Sequence, residues 1–284
     1  MADPFLGGGA SLAFFRPRRA LLGDVDPHLV AFYQRLRDAD PAFTESLWGI
    51  GELWDHLFRY LSHAPLRWHQ SPPEPLAGEA EALLDQVGAS LEAGGKAPQE
   101  TLVRRGVYWH LRRRAEELPL QDPRSSAYFW AVRELAFGSM YRQNRTGGFN
   151  VPYGGTSYDR KRLLPLIEGF LAKEGRALLQ AAEILCADFE ETLRRTPPGA
   201  FLFLDPPYLT RFSQYGGRPF TLEDHLRLYR FLSEYDGPFL LVVAGPTNEV
   251  YLPLPHQKRL LRGRFGFGIK GRIDPRTEYL LLWA

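Results

Sequence analysis

The stretch Ala200-Phe201-Leu202-Phe203-Leu204-Asp205-Pro206-Pro207-Tyr208 decides the fold class of this chain. Its first five residues form an apolar run, which is typical of a strand buried on both faces of a parallel sheet. The two prolines fix the backbone and remove two N–H donors, so the strand ends in carbonyl groups, one carboxylate and one aromatic ring. Open α/β sheets bind ligands at the carboxyl ends of their strands. The pattern therefore predicts a site for a planar amine, such as N6 of adenine.

Length and composition set broad limits. At 284 residues the chain is long enough for one large or two smaller domains. The net charge of +2 is too small to indicate a nucleic-acid partner by itself. The single cysteine, Cys186, excludes an internal disulfide framework and offers no zinc-ligand spacing. No apolar run reaches membrane-spanning length, so we expect a cytoplasmic protein with no membrane partner.

A second signal is the glycine-rich turn near the start of the chain. Asp3-Pro4-Phe5-Leu6-Gly7-Gly8-Gly9 precedes a predicted helix, and its glycines let the backbone approach a ligand closely. A short apolar strand then ends at Asp24, roughly twenty positions after the turn, where cofactor-binding α/β units carry an acid that binds ribose hydroxyls. The combination favours a cofactor that contains a nucleoside. No Gly-Lys-Ser/Thr sequence follows, so the turn is not a P-loop.

The middle of the chain differs from this α/β pattern. Apolar residues recur at helical spacing between residues 26 and 60. A segment of arginines interleaved with Tyr108 and Trp109 follows at 104–114. Two interpretations stay open for it: a solvated helix surface, or a surface that contacts phosphates.

A second basic and aromatic cluster occupies residues 141–155. Its planar hydrogen-bonding side chains, aromatic rings and glycines can reach base edges, stack on bases or wedge into a duplex. We predict DNA contacts from Arg142, Asn144, Arg145, Asn150, Pro152 and Tyr153.

The α/β rhythm resumes beyond residue 160. One predicted strand ends in Asp188-Phe189, the strand that ends at Asp205 comes next, and a further apolar strand covers residues 238–244.

Taken in order, these segments resemble the motifs of DNA adenine-N6 methyltransferases of the Dam type, the D12 class. The similar segments are the acidic-Pro-Phe glycine turn, the acid after the next strand, the Arg-x-Asn…Phe-Asn-x-Pro loop, the Asp-Phe pair and Asp-Pro-Pro-Tyr. The resemblance implies S-adenosylmethionine as cofactor, held by Asp3, Pro4, Phe5, Gly7, Gly9, Asp24, Asp188 and Phe189. It implies that the catalytic residues are Asp205, Pro206, Pro207 and Tyr208.

The resemblance also implies the fold and the reaction. We expect an α/β, Rossmann-like methyltransferase sheet built from residues 1–45 and 156–284, with a mainly helical DNA-recognition domain inserted at 46–155. The expected reaction methylates N6 of an adenine flipped out of duplex DNA. The Asp205 carboxylate and the Pro206 carbonyl would accept the amine hydrogens while Tyr208 stacks on the base. No metal is needed.

The chain departs from the family pattern at three places. The stretch between Asp26 and Arg142 is longer than is usual in the family, which predicts extra recognition helices. Relatives carry a Trp-x-Gly-Gly-Lys-like segment before the glycine turn, and only two residues precede Asp3 here. We therefore expect an earlier start of the chain, a partner chain that supplies this segment, or a sheet whose central strand is only a stub. Ala244-Gly245-Pro246-Thr247-Asn248 replaces the usual Ser-Asn-x-Asp-like turn.

Alternatives remain open for the function. The acceptor could be cytosine N4 or RNA, because Asp-Pro-Pro-Tyr suits any planar amine. The chain could also be a DNA-binding subunit of a modification complex with little activity alone. A cognate restriction enzyme is a further expected partner.

Overall fold

The computed structural model describes residues 1–57, 77–140, 148–209, 214–215, 218–262 and 278–283. The chain divides into two compact units. The sheet unit comprises Met1–Val30 and Gln180–Ala284, and the helical unit comprises Ala31–Leu179.

The strands of the described residues all lie in the sheet unit. They are β1 (Ala2–Asp3), β2 (Ala20–Asp24), β3 (Ala182–Cys186), β4 (Leu202–Leu204), β5 (Gln214–Tyr215), β6 (Arg218–Pro219), β7 (Phe239–Ala244), β8 (Gln257–Arg262) and β9 (Glu278–Trp283). Seven of them form one sheet in the order β3-β2-β1-β4-β7-β9-β8. The first five strands in that order run parallel, and β9 pairs antiparallel with both of its neighbours. The sheet and its helices confirm the predicted Rossmann-like α/β class.

The central strand β1 is only two residues long, yet it joins the two halves of the sheet. Ala2 pairs with Leu21 on one side and with Leu202 on the other. The N–H of Ala2 donates to the Phe201 carbonyl at 2.8 Å, and the N–H of Leu21 donates to the Met1 carbonyl at 2.9 Å. Since all three strands run the same way, Asp3, Asp24 and Asp205 come to the same edge of the sheet.

The helices of the described residues are distributed over the sheet unit and the helical unit. They are α1 (Ala10–Phe15), α2 (Pro27–Asp38), α3 (Pro41–Asp55), α4 (Ala80–Ala93), α5 (Gln99–Glu117), α6 (Pro123–Leu135), α7 (Leu164–Leu171), α8 (Lys173–Gln180), α9 (Phe189–Arg195), α10 (Leu222–Glu234) and α11 (Asn248–Tyr251). Helix α10 begins with a capping box, in which the Thr221 hydroxyl and the Asp224 carboxylate satisfy each other's backbone N–H groups.

The helical unit is larger than the predicted insertion. The sequence places its limits at residues 46 and 155, whereas the compact unit runs from 31 to 179. Arg35 on α2 donates to the hydroxyl of Ser126 at the start of α6. Asp55 at the end of α3 accepts the N–H groups of Leu163 at 2.8 Å and Leu164 at 3.1 Å, and so it caps α7. These polar contacts draw the flanking helices into the unit.

Three of the arginines of segment 104–114 have a structural role. Arg104 is buried, donates to the Trp54 carbonyl at 3.0 Å and lies over the Trp54 ring. Arg105 donates to the Ser90 hydroxyl at 2.8 Å, and Arg114 donates to Glu79 at 2.8 Å. Neither a solvated nor a phosphate-contacting surface describes these three side chains. They are bound inside the unit because α5 packs against its neighbours, with Val107, Tyr108 and Leu111 fully buried.

Candidate active site

The glycine-rich turn connects β1 to α1 at the carboxyl edge of the sheet. Gly7 and Gly9 have φ of +48° and +71°, values that side chains with a Cβ rarely adopt. The Leu6 N–H donates to the Gly23 carbonyl at 2.9 Å, and the Gly7 N–H donates to Oδ2 of Asp24 at 3.0 Å. A Cβ added at Gly8 would meet no atom within 4 Å. The turn is therefore tied to the end of β2 and open at its tip.

Asp24 lies where the sequence predicts a ribose-binding acid. Its Oδ1 accepts the N–H of Asp26 at 3.0 Å, and its Oδ2 accepts the N–H of Gly7. Because each carboxylate oxygen has two lone pairs, these backbone bonds still permit the carboxylate to accept hydroxyl groups of a ligand.

Asp3 is the buried acid of this edge, with 1% of its surface exposed. It accepts the N–H of Phe5 at 2.9 Å and the hydroxyl of Ser11. Burial raises the pKa of Asp3 to about 6, and the negative charges of Asp205 and Asp24 add to this rise. The ends of β1, β2 and β4 therefore act on one another electrostatically.

Asp188 and Phe189 follow β3 at the same edge. Asp188 caps α9 by accepting the Glu190 N–H at 3.0 Å, and it also accepts Nη2 of Arg227 at 2.7 Å. The buried Phe189 ring stacks on Phe5, with ring centroids 5.5 Å apart and planes inclined by 26°. Phe189 thus connects the end of β3 to the glycine-rich turn.

Two side chains that sequence reasoning missed hold this pair in place. The Arg227 guanidinium lies 4.7 Å from the centre of the Phe189 ring and binds both Asp188 and Glu190. Phe220 packs against Phe5 and Phe189 at 5.7 and 5.5 Å. The sequence signal for these two residues is the capping box Thr221–Asp224, which marks the start of α10 between Phe220 and Arg227.

The Asp205–Tyr208 turn follows β4 directly. The Tyr208 hydroxyl donates to Oδ1 of Asp205 at 2.9 Å. The Asp205 side chain is exposed at the surface, although nearby protein atoms remove part of its hydration. Dehydration by these atoms raises the pKa of Asp205, while the Tyr208 hydrogen bond lowers it by a smaller amount. Pro206 is buried beneath the turn.

The predicted DNA-binding residues divide into three groups. Arg142, Asn144 and Arg145 lie outside the described residues. Asn150 and Pro152 are exposed, alternating with buried neighbours on an extended segment. Tyr153 is buried, and its hydroxyl donates to Asp159 at 2.8 Å. Burial argues against direct DNA contact by this ring, and Tyr153 anchors the segment in the helical unit.

The structure therefore brings the predicted cofactor and catalytic residues together in the sheet unit, whereas Asn150, Pro152 and Tyr153, from the predicted DNA-binding set, belong to the helical unit. Acids at the carboxyl ends of neighbouring parallel strands lie where open α/β proteins bind their ligands, which places this protein in the α/β class with a ligand site at that edge. Residues 76–259 match the sequence model of the D12 class N6 adenine-specific DNA methyltransferases. The chain belongs to this family.

Relatives of this chain are named as DNA adenine methylases or type II methyltransferases. The chain is 26% identical over 234 residues to a DNA adenine methylase of Vibrio cholerae. The matched stretch covers 80% of this chain but only 65%, less than two thirds, of the relative's length. It is 23% identical over 255 residues to the type II methyltransferase M1.LlaDCHI of Lactococcus lactis, covering 87% of this chain and 72% of the relative. It is 32% identical over 141 residues to the type II methyltransferase M.CviBI of a Paramecium bursaria Chlorella virus, covering 48% and 52%.

Within the part of the chain that the structure describes, no helix is long and apolar enough to cross a membrane. Among those same residues, no three or more His, Cys, Asp or Glu side chains group as ligands of a metal ion.

Proposed function

We propose that this protein transfers a methyl group from S-adenosylmethionine to N6 of an adenine flipped out of duplex DNA. One observation carries the proposal. Asp205, which follows β4 and accepts the Tyr208 hydroxyl, lies at the same edge of the sheet as Asp3 of the glycine-rich turn, because β1 and β4 pair in parallel through Ala2 and Leu202. The acceptor of the amine hydrogens and the turn that would bind the methyl donor thus share one site.

The turn and its neighbours fit a nucleoside cofactor. Asp24 offers a carboxylate to the ribose, and the open tip at Gly8 leaves room for close approach of a ligand. Phe5 and Phe189 offer an aromatic pair beside Asp188, which suits the adenine of the cofactor. Bound S-adenosylmethionine supplies an electrophilic methyl group on a sulfonium, so the protein's tasks are positioning and exclusion of water.

The residues of the Asp205–Tyr208 turn would increase the nucleophilicity of adenine N6, which is weak by itself. The lone pair of this nitrogen is delocalised into the ring. Hydrogen bonds from the amine to the Asp205 carboxylate and the Pro206 carbonyl would favour a tetrahedral nitrogen with an available lone pair. Dehydration makes Asp205 more basic than an ordinary carboxylate, which strengthens its bond to the amine. The Tyr208 ring would stack on the flipped base.

The helical unit is the proposed source of DNA recognition. Asn150 and Pro152 are exposed on a segment held from beneath by Phe149, Val151 and Tyr153. The Tyr108 hydroxyl donates to the Val151 carbonyl at 2.6 Å, which further fixes this segment. We assign DNA contact to Asn150 and Pro152, and to Arg142, Asn144 and Arg145 on sequence grounds. Relatives named as type II methyltransferases support a role in restriction-modification, with a cognate restriction enzyme as a proposed partner.

The test is transfer of labelled methyl groups from S-adenosylmethionine to unmethylated duplex DNA. We expect Asp205→Ala to lower transfer by about 10³-fold or more, because it removes a group that acts at the reacting atom. The matched control is Asp236→Ala, the same substitution at an exposed position, with the fold of each variant checked by circular dichroism. Undiminished labelling by a folded Asp205→Ala protein would refute the proposal.

A further inference from the structure

Two buried side chains lie beside the backbone neighbours of Tyr208, and one of them, Thr247, hydrogen-bonds to that backbone. The Leu209 N–H donates to Oγ1 of Thr247 at 2.7 Å, and Thr247 is fully buried. The backbone of Pro207 interacts with the imidazole of His225, which is also fully buried. Pro207 and Leu209 are the two neighbours of Tyr208 in the chain, so their positions set the direction in which the Tyr208 ring projects.

His225 contacts the turn as a neutral imidazole. Burial lowers the pKa of His225 to about 4, and the Pro207 backbone opposes part of this shift. The Tyr251 hydroxyl lies 2.9 Å from Nδ1 of His225, and it also donates to the His225 carbonyl at 3.4 Å. Among the described residues Nε2 of His225 has no hydrogen-bond partner of standard geometry.

An aromatic row joins His225 to the glycine-rich turn. The Phe220 ring packs edge-on against the imidazole at 4.7 Å, and it also contacts Phe5 and Phe189. Beyond His225 the row continues to Tyr251, which is fully buried. The same packed side chains therefore support the cofactor end and the catalytic end of the site.

The segment that departs from the family pattern contributes to this support. Thr247 lies in Ala244–Asn248, which replaces the usual Ser-Asn-x-Asp-like turn. Gly245 there has φ of +61°, and the short turn it begins places the Thr247 hydroxyl at Leu209. The chain thus uses its own side chain in this segment to bind the catalytic turn.

We infer that His225 and Thr247 are positioning residues that fix the orientation of Tyr208 and, through it, of the target base. Neither side chain is assigned contact with the base or the cofactor. The inference rests on the proposed function, because it concerns the stacking of Tyr208 on an acceptor base.

The first experiment separates turnover from binding in the full chain. Thr247→Val removes the acceptor and keeps the shape, Thr247→Ser keeps the hydroxyl, and His225→Leu removes the imidazole. For the Val and Leu variants we expect kcat for transfer to unmethylated plasmid DNA to fall by roughly 10- to 100-fold, because misplaced groups lose near-attack geometry. The Kd for S-adenosylmethionine, measured by calorimetry, should change by less than about twofold, and Thr247→Ser should restore kcat to within about threefold of wild type.

A wild-type kcat in Thr247→Val, or a loss of cofactor affinity that matches the loss of kcat, would overturn the inference. So would a Thr247→Ser variant as slow as Thr247→Val, since a merely structural role predicts no rescue through the hydroxyl.

The second experiment does not depend on activity. Crystal structures of wild type and of the His225→Leu, Thr247→Val double variant should differ in the position of the Tyr208 ring by about 1 Å or more, the scale at which misplacement affects catalysis. An unmoved turn would overturn the inference even if the wild type transfers methyl groups. Conversely, a wild type that methylates no DNA refutes the proposed function, while the displacement of Tyr208 still decides the positioning role.

Discussion

Asp3 is an acid of the candidate site with a strongly raised pKa. Its pKa rises from an ordinary 3.8 to about 6 because the carboxyl is buried near two other acids. The folded protein therefore holds a proton on Asp3 at a pH at which the unfolded chain has lost it. Stability from this group is fully present below pH 3.8 and is lost as the pH rises through 6.

This shift gives a testable pH dependence. Relative to Asp3→Asn, which does not titrate, wild type should lose up to ~3 kcal/mol of unfolding free energy between pH 4 and pH 7. Urea unfolding at a series of pH values measures the difference. The exposed Asp236→Asn variant should instead follow wild type across the range. Parallel curves for wild type and Asp3→Asn would show that Asp3 titrates normally.

The acids of the site could be predicted from the sequence because strand ends mark them. Asp24 and Asp205 each follow a short apolar run, and parallel pairing brings such ends to one edge. Arg227, His225 and Thr247 could not be predicted, since each acts on a residue of another element. Arg227 reaches Asp188 across 39 positions and Thr247 reaches Leu209 across 38. No local pattern specifies such pairs before the packing of α10 and β7 is known.

At the scale of elements, the contact between α4 and α5 depends on one glycine. A Cβ at Gly106 on α5 would lie 2.5 Å from Cα of Val87 and 2.8 Å from the carbonyl oxygen of Gln86. These neighbours are backbone atoms of α4, which cannot turn aside as a side chain can. The two helices are therefore as close as a glycine at this position allows.

Gly106→Ala should destabilise the protein by about 1–3 kcal/mol, because the added methyl forces the helices apart. Gly88→Ala is the matched control within α4, since a Cβ there meets nothing within 4 Å. Gly88→Ala should raise the free energy of unfolding by about 0.5–1 kcal/mol, because alanine favours the helix more than glycine does. Urea unfolding compares the two. Equal effects of both substitutions would mean that the interhelical contact at Gly106 is not close.

The role of the arginine-rich segment could not be read from its sequence for a related reason. The spacing of Arg104, Arg105 and Arg114 indicates only a helix with charge on more than one face. Their partners are Trp54, Ser90 and Glu79, which come from other helices or from the turn before α4. Charge composition alone cannot distinguish a guanidinium that is hydrogen-bonded within a helical bundle from an exposed one that can bind a phosphate.

At the scale of the whole molecule, the proposed binding functions fall in different units. Asp24 belongs to the sheet unit and Asn150 to the helical unit. We expect Asp24→Ala to weaken cofactor binding roughly 10- to 100-fold by removing a charged acceptor, and to leave DNA binding without cofactor unchanged. Asn150→Ala should weaken DNA binding by roughly 5- to 100-fold, as loss of a base contact does, with unchanged cofactor affinity.

Calorimetry with S-adenosylmethionine and fluorescence anisotropy with duplex DNA measure the two affinities. Gln121→Ala, which removes another exposed amide of the helical unit, should alter neither. If Asn150→Ala weakened cofactor binding as much as DNA binding, the separation of roles would be wrong.

The existence of a helical insertion could be predicted from the change in periodicity, but its limits could not. Within the unit that runs from 31 to 179, Arg35 and Asp55 bind partners that are 91 and 108 positions away in the chain. Helices α2, α3 and α7 look like other amphipathic helices in sequence. Only these tertiary contacts show which unit they join.

The central claim is that Asp205 and Tyr208 act on the amino group of adenine. The most direct measurement is mass spectrometry of the nucleosides from unmethylated duplex DNA after incubation with protein and S-adenosylmethionine. N6-methyldeoxyadenosine should appear with wild type and be absent with Asp205→Ala. Methylation of cytosine alone, or no methylated nucleoside from a wild-type protein that binds both cofactor and DNA, would contradict the claim.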